Sequence, residues 1–149
     1  IDLATGVCAV RAVLTGAGAD GLDREDAVRQ VAAELGFDRL SPKVRDLAES
    51  ALTAAGRRQV VLTERGRVLL QTRTIDDYSR DELVQYLLAA MRDVGGPGLW
   101  DRAEAIKTAA HYLGFRRTGS KIEDSFKSAI NGAIRRGLLE VNGKQIRKA

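Results

Sequence analysis

The chain has 149 residues, 44% of them hydrophobic and 30% charged, with a formal net charge of +4. That is apolar material for one packed domain or two small ones, and it argues against a disordered chain. A single cysteine and a single histidine exclude an internal disulfide framework and leave little for a metal cluster or a catalytic centre.

In chain order, helices are expected near residues 4–15, 23–35 and 42–56, the last with Ser41 as N-cap and Pro42 at the first helical position. Gly66 then marks a turn between Val60-Val61-Leu62 and Val68-Leu69-Leu70. These read as two strands, although the second run equally suits the start of a helix. Residues 72–78 read as a polar linker. Ser79 and Glu82 form the S-x-x-E pattern of a capping box. The helix that follows carries Leu83, Leu87, Ala90 and Met91 on one face and stops before Gly95-Gly96-Pro97-Gly98.

A second helix in this half starts near Asp101, an expected N-cap, with Ala105, Ile106, Ala109 and Leu113 inward and Gly114 as a left-handed cap. The third runs from about Ser120 to Arg136, with Ile122, Phe126, Ala129, Ile130 and Ala133 as its buried stripe. Two short strands within 138–147 are expected to join at Asn142-Gly143, a strong two-residue hairpin signal.

Shifting the sequence by 78 residues aligns 23–71 with 101–149 without a gap. Leu35-Gly36-Phe37 meets Leu113-Gly114-Phe115, Asp23-Arg24 meets Asp101-Arg102, and Arg57-Arg58 meets Arg135-Arg136. Apolar positions match in kind, as in Val28/Ile106, Val44/Ile122 and Leu52/Ile130. The expectation is an internal repeat with domains at 1–74 and 75–149, each of three helices and a hairpin. That is a mainly α fold with small β-hairpins, two tandem winged-helix domains in which the third helix is the one usually offered to the DNA major groove.

The string R-R-T-G-S-K-I-E-D-S-F-K-S-A-I-N-G-A-I-R-R-G at 116–137 resembles the C-terminal domain of unknown function of large bacterial superfamily-1 helicase–nuclease proteins. The first copy, with L-T-E-R-G-R-V-L-L after its third helix, is similar to the winged helix at the front of Mrr-type restriction endonucleases, and L-T-E-R-G-R also occurs in MarR-like regulators. It departs from the G-S-K-I pattern, having Ser41-Pro42-Lys43-Val44. The resemblance implies a nucleic-acid-binding or adaptor module in a bacterial DNA-processing or defence protein.

Charge separates the halves. Residues 1–71 hold 10 basic and 10 acidic residues, whereas 72–149 hold 14 and 10. A basic footprint suits a phosphate backbone, whose bound counterions are released on contact. Its candidates are Arg116, Arg117, Lys121, Lys127, Arg135 and Arg136 around the third helix, with Lys144, Arg147 and Lys148 on the hairpin. Ser120 is placed to hydrogen-bond a phosphate, and Asn131 suits a bidentate adenine contact. The same residues also suit a solvated helix face, with Arg135 and Arg136 complementing the helix dipole. In the first half, weaker candidates are Arg39, Lys43, Arg45, Arg65 and Arg67, because Asp46 and Glu49 on the third helix would repel phosphate.

His111 reads as a half-buried structural group, Cys8 as a small core residue, Phe37 and Phe115 as core plugs, and Trp100 as an anchor for its loop or a stacking surface for a base. No phosphate loop, zinc spacing or nucleophile motif is present. No cofactor, metal or small-molecule substrate is expected, and the chain itself is not expected to be an enzyme. The longest apolar stretch, 83–91, is far short of the roughly 20 residues of a membrane span, and no signal-peptide pattern opens the chain, so a cytoplasmic location is expected. Because the sequence opens at Ile1 with Met91 its only methionine, a piece of a larger protein is expected. Duplex DNA is the expected partner; a homodimer or contact with other domains of a parent protein is the alternative.

Overall fold

The computed structural model describes residues 2–95 and 98–149. Gly96 and Pro97, part of the expected glycine-rich stop, lie outside the described residues. The chain divides into two compact units: Ile1–Arg73 with Leu113–Arg116, and Thr74–Tyr112 with Arg117–Ala149.

Unit 1 contains α1 (Leu3–Ala17), β1 (Leu22–Asp23), α2 (Arg24–Glu34), α3 (Pro42–Arg57), β2 (Val61–Glu64) and β3 (Arg67–Leu70). Each helix begins on a side-chain cap that satisfies an otherwise orphaned amide. Asp2 accepts from Thr5 N at 2.7 Å, Asp23 from Asp26 N at 2.9 Å, and Ser41 from Val44 N at 3.2 Å. Val7, Val10 and Leu14 line the inner face of α1 and pack with Val28, Val31, Leu52, Val60 and Val68. Gly6 lets α1 approach α3, since a Cβ there would come within 2.8 Å of the Ala51 Cβ.

The three strands form an antiparallel sheet in the order β1-β3-β2. Glu64 pairs with Arg67, so the turn residues are Arg65 (φ 53°) and Gly66 (φ 76°). Two positive φ values are the mark of a type I′ turn, whose twist matches that of the strands. Val68-Leu69-Leu70 is therefore strand and not helix. Among the described residues two cations are buried in this unit, Arg11 and Arg58. Arg11, 6% exposed, donates to the Thr72 carbonyl (2.6 Å), the Thr72 hydroxyl (3.2 Å) and the Leu113 carbonyl (3.0 Å). Its guanidinium also lies 4.1 Å from the centroid of the Phe115 ring, within cation–π reach.

Unit 2 contains a short 3₁₀ turn (Ile75–Asp77), α4 (Arg80–Val94), β4 (Trp100–Asp101), α5 (Arg102–Tyr112), α6 (Ser120–Arg135), β5 (Leu139–Asn142) and β6 (Gln145–Lys148). The capping box is formed at both ends: Glu82 N donates to Ser79 Oγ at 3.1 Å and Ser79 N to the Glu82 carboxylate at 2.8 Å. The inward faces of α4, α5 and α6 are those the 3.6-residue period selects, except that Ile122, expected in the buried stripe of α6, is only half-buried. Leu83, Leu87, Ala90 and Met91 meet Ala105, Ile106, Ala109, Phe126, Ala129, Ile130 and Ala133, all buried.

The sheet runs β4-β6-β5, antiparallel throughout. The bounds of β4, α5, α6, β5 and β6 equal those of β1, α2, α3, β2 and β3 plus 78. Tyr86 packs edge-on against Tyr78 (centroids 5.8 Å) and beside Tyr112 (6.4 Å), and burial, before its neighbours, pushes its phenol up to about 12.

Several expectations need correction. The hairpin turn is one residue later than expected: Asn142 pairs with Gln145, which leaves Gly143-Lys144 as the turn, with φ 64° at Gly143. A glycine at the first central position is what a type II′ turn requires, so Asn142 remains in the ladder. The residues expected as a linker are packed. Thr72 is buried in unit 1, and Ile75 and Tyr78 are buried in unit 2. Phe37 and Phe115 are half-buried and not core plugs. No helix among the described residues is long and apolar enough to cross a membrane.

Candidate nucleic-acid interface

The outward side of α6 follows from its period. Ser120, Asp124, Lys127, Asn131 and Arg135, spaced 4-3-4-4, are all exposed and form one stripe. Opposite it, Phe126, Ala129, Ile130 and Ala133 are buried and fix the rotation of the helix. The helix starts on Gly119, which makes no side-chain cap bond, so the first amides of α6 have no side-chain partner from their cap residue. Ser120 is the first helical residue.

The basic candidates separate by partner. Lys121 Nζ lies 2.6 Å from Asp76 in the 3₁₀ turn, and Arg136 lies 3.0 Å from Asp81 at the start of α4. Both therefore lean toward acids of unit 2 beside the stripe. Lys127 pairs with Glu123 one turn back at 3.0 Å, and Arg147 with Glu140 across the hairpin at 2.9 Å. Hydrogen bonding to Asp76 and to Glu123 raises the Lys121 and Lys127 ammonium groups respectively above their ordinary range. All these pairs are exposed, and such pairs hold loosely and exchange with solvent. Among the described residues, Arg117, Arg135, Lys144 and Lys148 form no ion pair. Arg116 lies in unit 1, 3.7 Å from Glu34.

The equivalent stripe on α3 has a different charge. Asp46, Glu49, Thr53 and Arg57 follow the same spacing, so an acid stands where α6 has Lys127. Arg45 is not on this stripe: it makes a two-pronged pair with Glu25 on α2, at 2.6 and 3.0 Å, which holds the Glu25 carboxyl below the usual range. Arg67 donates to the carbonyls of Asp20 (3.1 Å) and Gly21 (3.2 Å), clamping the loop before β1. Arg39, Lys43 and Arg65 are exposed.

Asp124, an acid in the middle of the α6 stripe, is not among the residues expected at the interface, although the 4-3-4-4 spacing from Ser120 finds it. The Lys121–Asp76 pair left no sequence signal, since its members stand in different elements. Half-buried His111 stands in the last turn of α5. Among the described residues no group of three His, Cys, Asp or Glu side chains converges as a metal site. No family model, curated protein or solved structure matches the chain.

Proposed function

We propose that the chain is a pair of tandem winged-helix domains that binds double-stranded DNA, chiefly through α6 and the β5–β6 hairpin of unit 2. The observation that carries this reading is the exposed α6 stripe, where Ser120, Lys127, Asn131 and Arg135 are presented by a helix whose other side is locked in a core. The order helix, short strand, two helices and hairpin, with the first strand on the hairpin's second, supports the winged-helix reading of both units. The 78-residue offset between their elements supports an origin by repeat.

In this reading α6 enters the major groove. Arg117, Lys127 and Arg135 meet phosphates, Asn131 reads an adenine edge, and Lys144, Arg147 and Lys148 on the hairpin follow the backbone. Asp124 sets where the helix tolerates close approach, because it repels phosphate and accepts from a cytosine amino group. The module acts within a larger cytoplasmic bacterial protein that processes or defends DNA, and it carries no catalysis of its own.

A protein-docking role is favoured for unit 1 by one observation. Its α3 stripe is acidic at Asp46 and Glu49, and beside it Leu3 is 48% exposed. That surface suits a basic, apolar partner segment and not a phosphate backbone.

Titrating a labelled duplex with the chain at several salt concentrations tests the function. Phosphate contact by five or six cations predicts a log–log slope near −5, from roughly −0.9 per contact. A flat salt dependence, or no binding at low salt, sinks the reading.

A further inference from the structure

Apart from the α6 stripe, unit 2 has a cleft between the last turn of α4 and the edge where β4 meets β6. Trp100 and Met91 form its apolar side, and Arg92, Arg147 and Lys148 stand at its rim. Trp100 pairs with Ile146 across the sheet, and alternation along β6 places Lys148 on the same face two residues on. Diagonal neighbours of that kind lie within reach of a long side chain. Among the described residues the lining contains no acid. The ion-pair partners of Arg92 and Arg147 among the described residues are the exposed carboxylates of Asp93 at 3.4 Å and Glu140 at 2.9 Å, and Lys148 has no ion pair there.

A flat indole edged by cations matches one ligand chemistry: a planar π system that carries a phosphate. We propose that this cleft takes one unpaired nucleotide, its base against Trp100 and its phosphate on Lys148 and Arg92. The cleft measures about 270 Å³, at or below the low end of the 300–1,000 Å³ of ordinary small-molecule pockets, so it suits one base and not a longer stack. Base–aromatic stacking needs no particular base, which makes the site tolerant of sequence. The nucleotide has two possible sources, the frayed or overhanging end of a bound duplex and a free mononucleotide. The first source rests on the DNA-binding function proposed above, and the second does not.

Trp100 is the only tryptophan in the chain, so its fluorescence reads this cleft alone. The intact chain is titrated with a blunt duplex, with the same duplex carrying a three-nucleotide overhang, and with deoxyadenosine monophosphate. The expected result is saturable quenching of Trp100 by the overhang, with roughly tenfold tighter binding than the blunt duplex. In Arg92→Glu that ratio falls toward one. Quenching by the mononucleotide without an overhang advantage assigns the cleft to free nucleotides. Absence of quenching by either ligand overturns the inference, and so does an overhang advantage that survives Arg92→Glu. If no duplex binds at all, the function proposed for α6 fails, while the mononucleotide titration still reads the cleft by itself.

Discussion

Lys121 Nζ and the Asp76 carboxylate meet at 2.6 Å, so a cation counted toward the α6 footprint is held at its side by an acid from the 3₁₀ turn. In the proposed DNA-binding reading, Asp76 competes with phosphate for Lys121. Asp76→Asn is expected to strengthen duplex binding and to steepen the log–log salt slope by about 0.9, the contribution of one added contact. Titrations of the parent and the variant across a salt series check this. An unchanged slope would mean that Lys121 meets no phosphate.

Position 127 and its counterpart 49 carry opposite charge on otherwise matched helix stripes. Lys127→Glu gives α6 the charge pattern of α3, and the account expects duplex binding to fall at least tenfold at low salt, through a lost attraction and a new repulsion. Asn131→Ala acts differently. Loss of a bidentate base contact, worth about 1–3 kcal/mol of discrimination, should flatten preference among duplexes and leave the salt slope intact. Competition with a panel of duplexes separates the two effects.

Arg11 is the most enclosed charge of unit 1, satisfied by Thr72, the Leu113 carbonyl and the Phe115 ring. Its replacement by methionine keeps much of the volume and strands two carbonyls. With hydrogen bonds to a charged group contributing about 1.5–3 kcal/mol each, a loss of at least about 2 kcal/mol is expected in urea unfolding. Arg11→Lys should recover little, because one ammonium cannot reproduce the planar fork.

Gly21 precedes β1 with φ 65°, and a Cβ there would sit 2.1 Å from the Val68 carbonyl oxygen. Gly21→Ala therefore adds a backbone clash to a left-handed conformation that already costs about 1–2 kcal/mol for an L-residue. Thermal unfolding should register a clear loss of stability, whereas Gly66→Asn, at an open turn position, should be tolerated.

Tyr86 ionises only near pH 12 in the fold, above the ordinary value of about 10 for an unfolded chain. Between those values the unfolded state loses the proton first, so stability falls as pH rises from about 10 toward 12 and is fully present below 10. Tyr86→Phe should remove that part of the alkaline decline in a denaturation series. The acid side runs the other way. Backbone amides of the α2 cap, above all that of Asp26, hold Asp23 below its usual range, and Arg45 does the same for Glu25. Their contribution is present above about pH 4 and is lost as pH falls through their depressed values.

The long helices and their inner faces were legible in the sequence because a 3.6-residue period recurs over several turns, as at Leu83, Leu87, Ala90 and Met91. The capping box at Ser79 and Glu82 was legible for the same local reason. The two-residue strands Leu22–Asp23 and Trp100–Asp101 were not, since two residues carry no period and their pairing with β3 and β6 is long-range. The hairpin register went astray by one residue because Asn142-Gly143 and Gly143-Lys144 both satisfy turn chemistry, and only the ladder decides between them. For the candidate site, charge clustering in the sequence singled out α6, and the fold leaves a stripe of that helix exposed. Which cations are held by neighbouring acids depends on contacts such as Lys121–Asp76 and Arg136–Asp81, and no local spacing reports those.

In the proposed function, α6 of unit 2 contacts duplex DNA through the cations on and beside its exposed stripe. Fluorescence anisotropy of a labelled duplex, measured over a salt series with the parent chain and with Arg117, Lys127 and Arg135 all changed to Gln, tests it most directly. The expected slope is near −5 for the parent, and the triple variant should lose close to three contacts, about 2.7 in slope. Equal slopes for the two proteins, or no duplex binding by the parent at low salt, would contradict it.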